Sequence, residues 1–203
     1  SEIEVTSYSS SHALWCDFDV LRGSRIEMHN VVMRTSTGAD AQGSRFLVSQ
    51  VNELIHSNVI FENVHHTTDG IGSTQFFVFL QPYQNYFTMT NSHWTMNGIH
   101  ATQTSTVITY FWCAPQRMVM TDSTLTIGGT TRSELILSGG SGTNSRVGYF
   151  LGLHAVRSSV IFQNLHVEHN GASIWVFNTD STAVTGGSTI FNNESSLIFR
   201  DLT

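Results

Sequence analysis

The 203 residues include no lysine; all nine basic residues are arginine, and the formal charge is −6. They form no basic run or patch, which argues against nucleic acid as a partner, since that binding rests on clustered Lys and Arg. There is no acidic tail either. Charged residues make up only 12% of the chain, where about a quarter is usual. Ser, Thr, Asn and Gly take their place, and these residues suit turns and strands better than helix interiors. No apolar run approaches the roughly 18 residues of a membrane-spanning helix. Residues 1–30 lack the basic start and apolar stretch of a signal peptide. Neither end carries the polar cap that closes most repeat proteins. Strand-like alternation already runs through Ile3 and Val5 and still runs through Leu197 and Phe199. The expectation is a single domain over 1–203, cut from a longer array.

What the chain does contain is a repeat. An Asn or Asp anchor is preceded, two and four residues earlier, by large apolar side chains. These are Met28 and Ile26 before Asn30, Phe61 and Val59 before Asn63, and Met89 and Phe87 before Asn91. Met120 and Met118 precede Asp122, Phe162 and Val160 precede Asn164, and Phe199 and Leu197 precede Asp201. The residue just before each anchor is polar, so each unit reads as a strand with one buried face. Six and seven residues after most anchors come turn-forming pairs such as Asp69-Gly70, Asn97-Gly98, Gly128-Gly129 and Asn170-Gly171. A second strand-like stretch follows at 45–49, 75–80, 105–112, 133–137 and 173–177.

Anchor spacing varies from 28 to 42 residues, as in a solenoid with a fixed strand and variable loops. Helix-period stripes are missing, and a propeller blade would need four strands where most units offer two or three. The fold predicted is all-β, a right-handed parallel β-helix with irregular rungs of 28–42 residues. Stacking would place Met28, Phe61, Met89, Met120, Phe162 and Phe199 in one interior row. Asn30, Asn63, Asn91, Asp122, Asn164 and Asp201 share the parity of that row, which predicts an inward structural ladder of hydrogen-bonded side chains.

The only two cysteines, Cys16 and Cys113, fall about three rungs apart, roughly 14 Å at the strand spacing. A disulfide needs Cα atoms within about 7 Å, so none is expected between them.

Few residues suggest chemistry. His65, His93 and His166 each lie two residues after an anchor, and His65 and His93 would neighbour each other on successive rungs. They are the candidate metal ligands, set against a plain polar stack at a bend. Asp17 and Asp19 point the same way on one strand, at a separation compatible with paired-carboxylate glycoside hydrolysis, although nothing specific surrounds them. G-x-S-x-G, P-loop, dinucleotide and zinc-finger spacings are absent, and no cofactor is implied. Asn193-Glu194-Ser195 is an N-glycosylation sequon. The runs 76–80 and 107–112 are nearly continuously apolar, as in strands covered on both faces. Phe76, Phe77, Tyr110 and Trp112 are therefore candidate interface residues, covered by another segment, a ligand or a neighbouring copy.

The h-x-h-x-Asn unit and the Ser/Thr-rich, lysine-free composition resemble the giant surface β-helix proteins of kinetoplastids known as the dispersed gene family proteins. The resemblance spans the chain in style and includes no signature motif. It implies a long extracellular array without catalytic residues, partnered by further repeats of the same chain or by neighbouring copies. Polysaccharide-degrading β-helices such as phage tailspikes resemble the chain in fold alone, and fold does not imply function. Glu27, Glu62 and Glu168 fall at different offsets from their anchors and do not stack as the acidic calcium ligands of such lyases would. A non-catalytic glycan-binding module using Trp15 or Trp94 is the third reading.

Overall fold

The computed structural model describes residues 2–7, 10–16, 20–37, 43–49, 53–70, 74–79, 86–105, 108–139, 144–179 and 189–203. These residues form an all-β parallel solenoid without helices. The first sheet runs, strand beside strand, from Glu2–Ser7 through Arg25–Thr37, Asn58–Gly70, the pair His93–Asn97 and His100–Ser105, Thr124–Gly139 and Ser159–Asn170 to Ser196–Leu202. The second sheet holds Ser10–Cys16, Gly43–Ser49, Thr74–Phe79, Ile108–Thr121, Asn144–Val156 and Ser173–Thr179. Short strands Val20–Arg22, Glu53–Ile55, Tyr86–Thr90 and Thr189–Asn192 complete it. The strand pairings are parallel, so each turn of chain lies on the one before it.

The sequence anchors mark real bends, but two kinds of them. All six adopt left-handed backbone, with φ between 45° and 53°. Asn30 and Asn63 lie side by side in the first sheet, as do Asn164 and Asp201. Beside Asn63 the next rung places Gly98, not Asn91. Asn91 and Asp122 belong to a second corner, between the two sheets, where the column reads Gly23, His56, Asn91, Asp122 and Arg157. Each has φ between 45° and 58°. The expected single row therefore splits in two. Met28, Phe61, Met96, Ile127, Phe162 and Phe199 form one interior row. Leu54, Met89, Met120, Ala155 and Phe191 form the other. A strand ending in a left-handed bend has one local pattern, and both corners use it. Mixing the corners is what made the anchor spacing look so uneven.

The anchor side chains also point the other way from the expectation. Asn30, Asn63, Asn91 and Asp201 are exposed, and Asp122 and Asn164 are half-buried. A residue with positive φ breaks the alternation of its strand, so parity does not carry its side chain inward. One amide-to-amide bond of the expected ladder exists, from Asn63 Nδ2 to Asn30 Oδ1 at 2.6 Å. Asn164 Nδ2 instead donates to the Thr130 carbonyl at 3.1 Å, and Asp122 accepts two bonds from the Arg157 guanidinium at 2.6 and 2.7 Å.

The inward ladder is built of serine. Each of the five residues of the second corner is followed by a serine, Ser24, Ser57, Ser92, Ser123 or Ser158, and Ser195 continues the series after the two positive-φ residues Asn193 and Glu194. The backbone N–H of each of the first five donates to the hydroxyl of the next, at 3.0–3.2 Å. From Ser24 to Ser158 each hydroxyl in turn donates to the carbonyl two residues back. Ser57, Ser92, Ser123 and Ser158 are almost completely buried. The steps are 33, 35, 31, 35 and 37 residues, a far more even pitch than the anchors suggested. The ladder satisfies amides that the bend removes from ordinary strand pairing.

Trp112 is a core residue rather than an interface residue. It and Phe111 are both fully buried although adjacent, and Trp112 packs edge-on against Trp94 at 5.1 Å. The strand ladder skips one residue at this place on successive rungs: Phe46, Phe76, Phe111, Val147 and Val176. The skipped ladder position lets the adjacent Phe111 and Trp112 both turn inward. The side chains of Phe76, Phe77 and Tyr110 lie outside the described residues.

Candidate functional site

Among the described residues, the outer face of the first sheet carries columns of polar side chains, because its alternate positions repeat from rung to rung. Just past the first corner one column reads Val32, His65, His100, Glu134 and His166. The His65 and His100 rings stack at 4.5 Å with planes 5° apart. His100 Nδ1 lies 3.4 Å from Glu134 Oε2. His166 contacts Glu168 Oε1 at 3.2 Å and Thr203 Oγ1 at 3.0 Å. Burial, and secondarily the neighbouring His100, holds the His65 pKa below its ordinary value.

The histidines that the sequence singled out are thus only partly brought together. His93 starts its own strand beside Asn58 and Thr124, across the corner from His65. The neighbour of His65 is His100, which the anchor offset could not identify because Asn91 belongs to the other corner. Two parallel rings 4.5 Å apart do not converge on one ion. Tetrahedral zinc with ligands at 2.0–2.1 Å needs nitrogens roughly 3.3 Å apart. Among the described residues no group of three or more His, Cys, Asp and Glu side chains is placed to hold a metal ion.

Before the corner lies a second polar network. Arg25 pairs with Glu27, and this hydrogen bond is the main cause that lowers the Glu27 pKa. His29 Nδ1 lies 3.1 Å from Glu62 Oε2. Asn97 Nδ2 donates to Glu62 Oε1 at 3.2 Å, and Asn97 Oδ1 accepts from the Thr131 amide at 2.9 Å. Glu62 thus links three rungs laterally. Glu62 is a rung-to-rung tie, whereas Glu27 is held within its own strand by Arg25 and His29.

On the second sheet, Arg146 places its guanidinium 4.4 Å from the Tyr149 ring centroid and 5.5 Å from that of Trp175. All three are half-buried. Trp94, a candidate glycan platform from the sequence, is buried in the core. Trp15 and the paired carboxylates Asp17 and Asp19 lie outside the described side chains. Asn193 is exposed at a left-handed bend. The serine of its sequon has a structural task of its own, as Ser195 Oγ accepts from the Ser158 amide and donates to the Asn192 carbonyl.

A cavity of about 230 Å³ is lined by Leu165, Val167, His169, Ile174, Val176, Leu202 and Thr203. Phe199 stacks on Phe162 at 5.4 Å with planes 15° apart, yet is 46% exposed. Its outer ring face continues the interior row into solvent.

Together, fold and surface define the class as a parallel β-solenoid. No protein-family model, curated protein or solved structure matches the chain. Among the described residues no helix is long and apolar enough to cross a membrane.

Proposed function

We propose that this chain is a structural, non-enzymatic repeat protein of a cell surface or extracellular space. Its rungs would be stacked on by further rungs of the same chain or by neighbouring copies, in filamentous or adhesive arrays like those of the kinetoplastid surface proteins it resembles. The observation carrying this reading is that each described rung is covered by its neighbours: Phe61, Met96, Ile127 and Phe162 are buried in a row built one residue per rung. Burying such a side chain contributes roughly 1.5–3 kcal/mol. Another rung supplies both the apolar cover and the parallel backbone partners. The polar columns support the same role, since Glu62, Glu134 and the His65–His100 pair engage neighbouring rungs.

The test is assembly. The 203-residue chain is expected to associate end to end at high concentration, and native material should image as rods longer than this stack. Phe199→Asp should keep the chain monomeric without altering its circular dichroism. A wild-type chain that stays monomeric, from native material no longer than the stack, would overturn the reading.

A second reading, a glycan-binding module, rests on the Arg146–Tyr149–Trp175 cluster. Polysaccharide binding lost in Trp175→Ala would favour it, and chain cleavage would favour an enzyme.

A further inference from the structure

On the first sheet one described rung is interrupted at the first corner, beside the stretch Gly128–Ser133 where the next strand also shifts register. Arg25–Thr37, Asn58–Gly70, Thr124–Gly139 and Ser159–Asn170 each run through the first corner as one strand. The rung between Asn58–Gly70 and Thr124–Gly139 does not. It breaks into His93–Asn97 and His100–Ser105 around Gly98, whose φ is +60°. Immediately after the break, His100 resumes pairing and stacks face to face on His65.

We propose that the stacked His65–His100 pair is an acid-sensitive clasp that closes this interrupted rung at neutral pH and loosens it on acidification. Neutral imidazoles stack without electrostatic cost. Two imidazolium rings at 4.5 Å repel.

The surrounding charges do not cancel that repulsion symmetrically. On the strand before the pair, the facing residue is Val32, with Arg34 two residues on. On the strand after it, Glu134 contacts His100, preceded by Arg132 and followed one rung later by His166 and Glu168. Asp69 lies four residues beyond His65 on its own strand, and Glu62 three before it. Glu134 stands beside His100, one rung further from His65, so it offers its counter-charge to His100 and the repulsion between the two rings is left for His65 to bear. Charging the second ring pushes the faces apart on the His65 side of His100–Ser105, while on the other side the Ile99 amide and carbonyl stay bonded to Ser133 Oγ at 3.0 Å and the Glu134 amide at 2.8 Å. A carboxylate column in place of the imidazoles would show the opposite response.

Native-state hydrogen exchange on the intact chain tests this. After correction for intrinsic rates, the amides of 100–105 should exchange about tenfold faster at pH 5 than at pH 7.5, the equivalent of one pKa unit. Amides of Ser159–Asn170 should change far less. His65→Gln and His100→Gln should each abolish the local acceleration. A separate NMR titration should find the His65 pKa raised in His100→Gln. Two results would overturn the clasp: equal protection of 100–105 at both pH values, or an acceleration that persists unchanged in both variants. Both variants keep the buried His66, so a pH response of the whole fold remains distinguishable from the local one.

Discussion

At the scale of single residues, burial and backbone angle decide most of what the side chains can do. His66 is 1% exposed, with Nε2 3.1 Å from the Thr35 hydroxyl. Burial pushes its pKa from 6.5 down to about 3. In the unfolded chain the imidazole titrates near 6.5, so its buried neutral form supports folding fully above that pH. The support is lost as pH falls through the window from 6.5 to about 3, at about 1.4 kcal/mol for each pH unit. Urea unfolding against pH should show this slope, and His66→Leu should flatten it. Gly128 is a stricter requirement. It has φ +98°, and a Cβ there would sit 1.7 Å from the Gln163 carbonyl oxygen. Gly128→Ala should cost about 3 kcal/mol or prevent folding, readable in thermal unfolding.

At the scale of the strand and corner, alternation in the sequence was enough to locate the strands and the bends that end them. Ile26-x-Met28-x-Asn30 and Phe87-x-Met89-x-Asn91 look alike because both specify a half-buried strand closed by a left-handed residue. Which corner each belongs to depends on the register against neighbouring rungs, which no local pattern contains. The serine after each second-corner residue was visible in the sequence, from Gly23-Ser24 to Arg157-Ser158, and its even spacing would have separated the two corners. His100 escaped notice because its position follows from Gly98 occupying the first corner. Phe111 and Trp112 escaped because strict alternation forbids two adjacent inward residues, and only a bend permits them. The serine ladder also gives a quantitative expectation. Ser123→Ala leaves the buried Ser92 amide without its acceptor and should lower stability by about 1–3 kcal/mol. Ser92→Ala and Ser158→Ala should behave alike in denaturant titrations.

For the whole molecule, the solenoid follows from parallel stacking of elements that cannot bury a face alone. The register runs from Trp15 through Val48 and Val78 to Cys113. Three ladder steps of about 4.8 Å therefore lie between the two cysteine-bearing regions, more than a disulfide spans. Non-reducing peptide mapping should find Cys16 and Cys113 unlinked to each other. The same stacking makes distance along the stack a simple function of rung number. Arg34 and Glu168 stand in one outward column through Thr67, Thr102 and Ile136, four steps apart. Glu27 and Ile198 stand in another, five steps apart through Ile60, Thr95, Thr126 and Ile161. Pulsed electron paramagnetic resonance between spin labels at these two pairs should give distances centred near about 19 Å and about 24 Å, one strand spacing apart. Distances that fail to increase with rung number, or that centre well beyond 30 Å, would contradict the stacked register on which the account rests.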